Sequence, residues 1–156
     1  MNGEPIGRPI RIVYVEDNKD IRFSISQILT MLGYEVMCAD DGQQGLEAVD
    51  SWKPDIILMD LRMPVMDGPT AIRILRSNPD TAGIPIFVLS AYKDAKTRDI
   101  CNQIGVDRFL SKPIDIQKVD TAIKEILKQQ TQESASQPGG STSKLTPGSD
   151  LIYDPS

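Results

Sequence analysis

The sequence predicts an α/β fold, a single five-stranded parallel sheet with helices on both faces. Two observations carry this. Five short apolar runs alternate with five amphipathic stretches along the chain, and strict strand–helix alternation implies parallel strands joined by right-handed crossovers. Three of the runs, the first, third and fourth, are apolar at successive positions rather than at every second one. Such strands are covered on both faces.

Each element has local support. Ile10–Val15 is short, β-branched and ended by acids, as a buried strand should be. A helix follows, with Ile21, Ile25, Ile28, Leu29 and Leu32 on one face, Asn18 or Asp17 as N-cap and Gly33 as the stop. Glu35–Ala39 is the second strand. Asp41 caps the next helix, which buries Leu46 and Val49, and Gln44 is spaced for a capping box. Pro54 and Asp55 open the third strand, Ile56–Met59, which ends at Asp60 and a Pro- and Gly-containing loop. Pro69 suits the first turn of a helix burying Ile72 and Leu75. Pro85 starts the fourth strand, Ile86–Leu89. A helix over Lys93–Ile104 ends at Gly105, Val106–Leu110 is the fifth strand, and Asp115 caps a last helix that turns Ile116, Val119, Ile123, Ile126 and Leu127 inward. No internal repeat is visible.

The 156 residues suffice for one domain with a core. The domain is expected over 9–130, with 1–8 as a flexible N-terminus. From about Gln132 to Ser149 the composition shifts to Ser, Thr, Gln, Gly and Pro, so 131–156 is expected to be a disordered tail. Leu151, Ile152 and Tyr153 form its one apolar cluster, too small for a core. A net charge of -5, from 17 basic and 22 acidic residues, gives no footprint for DNA. No apolar run is long enough for a membrane span, and no signal peptide is apparent, so a cytoplasmic location is expected. Two cysteines, Cys38 and Cys101, sit in apolar segments and are expected to stay reduced. The absence of histidine removes Ser-His-Asp triads, Cys-His pairs and the usual zinc sites.

In an open parallel sheet, ligands bind beyond the carboxyl ends of the strands. There the sequence collects Glu16 and Asp17 after strand one, Asp60 after strand three, Ser90 after strand four and Lys112 after strand five. Taken singly each residue is ordinary. Glu16 and Asp17 could merely cap a helix, Asp60 could belong to a turn, and Ser90 and Lys112 could be solvated. Together they give three carboxylates, a hydroxyl and an ammonium on one rim. Three adjacent carboxylates repel, and a hard divalent cation relieves that repulsion. With the lysine and the hydroxyl, these are the parts for metal-assisted phosphoryl transfer to an aspartate.

The motifs Val15-Glu16-Asp17-Asn18, Asp55 through Pro64, Met66-Asp67-Gly68, Leu89-Ser90-Ala91 and Leu110-Ser111-Lys112-Pro113 occur in order at fitting separations. In them the segment over about 9–130 resembles the receiver domains of bacterial two-component response regulators. The resemblance implies a flavodoxin-like (βα)5 fold with sheet order 2-1-3-4-5. It implies that Asp60 is the phospho-acceptor, and that Asp17, Asp60 and the Arg62 backbone carbonyl hold Mg²⁺ (or Mn²⁺). Glu16 stands where the family more often has a second aspartate and would act directly or through water. Lys112 would pair with Asp60 or the phosphoryl group, and the Lys112–Pro113 peptide would be cis. Ser90 would be the switch hydroxyl and Phe109 the switch aromatic. Arg62 and Tyr92 would flank the approach of water and lengthen the phosphorylated state.

The expected function is that of a stand-alone response regulator. It would be phosphorylated by a histidine kinase or phosphotransfer protein and would signal by protein binding or phosphorelay, assisting its own phosphorylation without being an enzyme in the ordinary sense. An unphosphorylated pseudo-receiver, acting only as a binding module, is the alternative. A flavin carrier is disfavoured because the loop Glu16-Asp17-Asn18-Lys19-Asp20 would repel a phosphate.

Overall fold

The computed structural model describes residues 7–61, 66–91 and 95–136. Five strands, β1 (Arg11–Val15), β2 (Glu35–Ala39), β3 (Ile56–Asp60), β4 (Ile86–Ser90) and β5 (Arg108–Ser111), alternate with five helices. These are α1 (Lys19–Met31), α2 (Gly42–Trp52), α3 (Gly68–Ser77), α4 (Ala95–Ile104) and α5 (Ile116–Ser136). The sheet is wholly parallel, in the order β2-β1-β3-β4-β5, the flavodoxin-like arrangement. The order reverses between β1 and β3, so a crevice opens at their carboxyl ends.

The all-apolar runs occupy the centre of the sheet, where β3 and β4 are buried along their whole lengths. Alternate side chains feed two cores. Val13, Val15, Ile57, Met59, Ile86 and Val88 pack against Val49, Ala71, Ile72, Leu75, Cys101 and Ile104 from α2, α3 and α4. Ile12, Tyr14, Ile56, Leu58, Phe87 and Leu89 pack against Leu29, Val119, Ile123 and Leu127 from α1 and α5. Among the described residues no helix is long and apolar enough to cross a membrane.

The helix ends follow local chemistry. Asn18 caps α1 by accepting from the Ile21 N–H at 2.9 Å. Gly33, at φ 102°, ends it: the Tyr34 N–H reaches the Leu29 carbonyl and the Gly33 N–H reaches Thr30, the doubly bonded C-terminal motif that a left-handed residue permits. Asp41 and Asp67 cap α2 and α3, and Pro69 lies in the first turn of α3. The capping box at α2 is displaced by one residue, since Gln44 Oε1 accepts from the Asp40 N–H rather than from Asp41.

Five expectations need adjustment. The apolar stripe of α1 is turned by about 70° from the face that is buried, so only Leu29 is fully covered, while Ile21, Ile28 and Leu32 remain exposed. The fifth strand starts at Arg108 rather than Val106. The Val106 N–H closes the end of α4 on the Cys101 carbonyl, and at Asp107 the backbone N–H bonds the Ile86 carbonyl while the carboxylate takes the Ile86 N–H and Arg76, so regular pairing with β4 begins at Arg108. The first strand begins at Arg11 rather than Ile10. Helix α5 continues to Ser136, six residues into the segment read as tail. Arg8, placed in the flexible N-terminus, pairs with Asp55 at 2.9 Å. The cluster Leu151–Tyr153 lies outside the described residues.

Candidate functional site at the strand ends

Asp60 is the last residue of β3, held in register opposite Leu89. Ser90 ends β4, opposite Ser111. The ladder runs on for one residue on either side: the Glu16 N–H donates to the Ala39 carbonyl at 3.0 Å, and the Lys112 N–H to the Ser90 carbonyl at 2.9 Å. Backbone hydrogen bonds of the sheet therefore fix Glu16, Asp60, Ser90 and Lys112 on one rim. With Asp17 they line a cleft of about 310 Å³, and Ile21 forms part of its edge. The Lys112–Pro113 peptide is cis.

The carboxylates are unequal. Glu16 is 1% exposed and Asp60 5%, whereas Asp17 is open to solvent. One oxygen of each lies within 4.8 Å of the others. Lys112 offsets this negative charge, its Nζ lying 3.2 Å from Glu16 Oε1 and 3.5 Å from Asp60 Oδ2. The other Glu16 oxygen accepts from the Asn18 N–H at 3.1 Å, and the Glu16 carbonyl accepts from Arg22 at 2.8 Å. Asn18 thus caps α1 with its side chain and steadies Glu16 with its backbone. Three clustered oxygen-donor carboxylates suit a hard divalent cation such as Mg²⁺, which prefers one or two carboxylates and keeps water on its remaining positions. Asp17, Asp60 and Glu16 are the residues here that could hold it.

Gly68 shapes the same rim from below. Its N–H donates to the Leu61 carbonyl at 3.0 Å. A β-carbon there would stand 2.7 Å from the Asp60 carbonyl oxygen and 2.8 Å from Leu61 Cα. Only glycine lets the start of α3 press against the backbone that carries Asp60.

Of the residues proposed from sequence, Glu16, Asp17, Asp60, Ser90 and Lys112 meet in one cleft. Phe109 lies on β5 opposite Val88, half-buried against the core under α2, α3 and α4. Arg62 and Tyr92 lie outside the described residues. Two participants were missed, Arg22 and the buried Tyr14. The second left a signal in the sequence: a phenol in a strand read as covered on both faces must find a place for its hydroxyl.

Residues 12–124 match the family described as the response regulator receiver domain. The chain is 33% identical over 147 residues to "Response regulator MprA" of Mycolicibacterium vanbaalenii, an alignment covering 94% of this chain and 61% of that protein. The chain therefore spans about three fifths of the length of the first curated relatives it matches. Among solved structures, it is 32% identical to the receiver domain of sensor histidine kinase PA1611 from Pseudomonas aeruginosa PAO1. That structure has a magnesium ion coordinated in its active site cleft; its TM-score is 0.70, covering 75% of this chain and 96% of that one. A receiver domain protein (CheY-like) from Methanospirillum hungatei JF-1 gives a TM-score of 0.74 at 26% identity, covering 80% of this chain and 98% of that one.

Proposed function

The chain belongs to the response regulator receiver domain family, and on that premise we propose that Asp60 accepts a phosphoryl group from a phosphorylated histidine of a kinase or phosphotransfer protein. The observation that carries this reading is the geometry around one ammonium: Lys112 Nζ stands 3.2 Å from Glu16 and 3.5 Å from Asp60, at the mouth of a cleft also lined by Asp17 and Ser90. Binding of Mg²⁺ at Glu16, Asp17 and Asp60 would neutralise charge on the group being transferred. A carboxylate oxygen of Asp60 attacks phosphorus in line with its bond to the imidazole nitrogen of the donor. The P–O bond forms, the P–N bond breaks, and the imidazole leaves with the electron pair and takes a proton from solvent. Lys112 and Ser90 then bind phosphoryl oxygens by charge and by hydrogen bonding.

The surface beside the cleft supports a protein as donor. Ile21, at its edge, is 38% exposed, and Ile28 and Leu32 continue an apolar strip along α1. Contiguous exposed apolar surface marks a docking face more often than a solvent face. The output of the switch is read as protein binding or onward phosphotransfer.

The test is direct. With Mg²⁺ and a small acyl phosphate, intact-mass measurement should find one phosphoryl group per chain in the wild type and none in Asp60→Asn. Incorporation that survives this substitution removes Asp60 from the central role, and a wild type that takes up none fits a binding module instead.

A further inference from the structure

Tyr14 lies on β1 two residues before Glu16, so the pleat directs both side chains to the same face of the strand. Its ring fills the core beneath α1 and α5, beside Leu29, Leu58 and Phe87, and the residue is fully buried. Its hydroxyl is buried too and forms no hydrogen bond among the described residues. Buried hydroxyls nearly always have a partner, so this one calls for an explanation. Burial is the main cause that raises the pKa of the phenol; the charges of Glu16, Asp60 and Cys38 follow, and last a close approach to the Glu16 carboxylate that falls short of hydrogen-bond geometry. With both side chains on one face of the strand, the oxygen end of the ring lies beneath the acidic cluster, beside Glu16.

At rest, Glu16 has no need of it. One carboxylate oxygen accepts from Lys112 and the other from the Asn18 N–H. Lys112, however, is shared with Asp60. A phosphoryl group on Asp60 raises the charge on that side from that of a carboxylate to roughly -1.5 to -2 and draws the ammonium toward it. Glu16, 1% exposed, then keeps the Asn18 N–H and would face Mg²⁺ on the cleft side, and the lone pair that Lys112 leaves is open to a donor from the core side.

We infer that Tyr14 is the reserve donor for Glu16: its buried hydroxyl bonds the Glu16 carboxylate when Lys112 moves to the phosphoryl group. This rests on the reading of Asp60 as phospho-acceptor. Tyr14 is in this sense a positioning residue. It carries an unmet hydrogen bond in the resting state and recovers it in the charged state, which favours switching.

The test is Tyr14→Phe, which keeps the ring and removes the hydroxyl, with beryllium fluoride plus Mg²⁺ as the phosphoryl mimic. Without mimic or metal, the urea midpoint of the variant should equal or exceed that of wild type, since only an unbonded hydroxyl is lost. With them, calorimetric affinity for the mimic should fall about tenfold, the worth of a hydrogen bond to a charged group. In a Glu16→Gln background the same substitution should have a much smaller effect on mimic affinity, because the charged acceptor is gone. A variant that is less stable at rest and binds the mimic as wild type does overturns the inference and leaves a purely structural tyrosine. Equal mimic affinity in both proteins at unchanged stability overturns it as well. A wild type that binds the mimic no better than Asp60→Asn overturns the phospho-acceptor reading, and this inference falls with it.

Discussion

Replacing Asp60 by Asn should stabilise the metal-free protein, although it removes the residue on which the proposed function turns. The sign follows from three opposing effects. Lys112 Nζ lies 3.5 Å from the Asp60 carboxylate, and at an effective dielectric of about 20 their attraction is about 5 kcal/mol before solvation. A carboxylate oxygen of Glu16 lies within 4.8 Å of one on Asp60, and on the same scale that repulsion is about 3.5 kcal/mol. Asp17 adds a further repulsion, weakened because it faces solvent. The Coulomb contributions therefore nearly cancel. Dehydration of a carboxylate that is 5% exposed then decides the outcome, at an effective cost of several kcal/mol. An amide of the same shape avoids most of that cost, and Lys112 keeps Glu16 as partner. The expected gain is about 1–2 kcal/mol, a rise of roughly 3–10 °C in Tm for a domain of this size. Thermal unfolding in chelator at neutral pH measures it. Saturating Mg²⁺ should then raise the Tm of wild type more than that of the variant, because ligand stabilisation scales with affinity for the folded state. A variant less stable than wild type in chelator would mean that the lysine attraction outweighs dehydration, and would refute the reasoning.

Other consequences can be measured with the same materials. Asp17→Ala should weaken Mg²⁺ binding more than Glu16→Ala, because Asp17 is solvent-facing and Glu16 already has Lys112 and the Asn18 N–H as partners; calorimetric titration giving equal losses would contradict that ranking. Gly68→Ala should cost about 1–3 kcal/mol, since the new methyl meets backbone atoms of Asp60 and Leu61, and a denaturation midpoint equal to wild type would show that the start of α3 can retreat. Burial raises the pKa of both Tyr14 and Tyr34, with Asp120 accepting from the Tyr34 hydroxyl. A raised phenol pKa contributes stability below the unfolded value near 10 that is lost as pH rises above it, so in a Tyr92→Phe, Tyr153→Phe background tyrosinate absorbance should rise only together with loss of circular dichroism.

The parts of the protein that were legible in the sequence are those governed by local rules. Strand burial could be read from uninterrupted apolar runs, helix ends from Asn18, Gly33, Asp41 and Pro69, and the cleft from the residues that terminate four strands. What escaped depends on tertiary placement. The stripe Ile21–Ile28–Leu32 has helical period, but period alone does not say which side of a helix meets the sheet, and the buried side is set by Arg22, Ile25, Ser26 and Leu29. Val106 and Asp107 have strand character, yet the end of α4 claims the Val106 N–H, and the Asp107 carboxylate takes Arg76 and the Ile86 N–H, so that only its backbone N–H reaches β4 in strand fashion. The role of Arg22 at the Glu16 carbonyl, and the position of the Tyr14 hydroxyl under the acids, depend on distances that no spacing rule encodes.

The cleft joins two properties that burial brings about together. Packing β1, β3 and β4 between two layers of helices places their last residues at the edge of a dry interior, which makes each carboxylate there costly and each charge felt by its neighbours. One ammonium shared between two acids at 3.2 and 3.5 Å is then a natural two-state element. Phosphorylation of Asp60 would add up to about one further negative charge on one side of it. At 3.5 Å and an effective dielectric of about 20, that charge changes the preference of Lys112 by about 5 kcal/mol before solvation. Moving a two-state equilibrium from 1:99 to 99:1 takes about 5.5 kcal/mol. A single transferred group is thus of the right size to move the Lys112 ammonium, and any backbone shift that accompanies it would bear on the end of β4, because the Lys112 N–H is bonded to the Ser90 carbonyl.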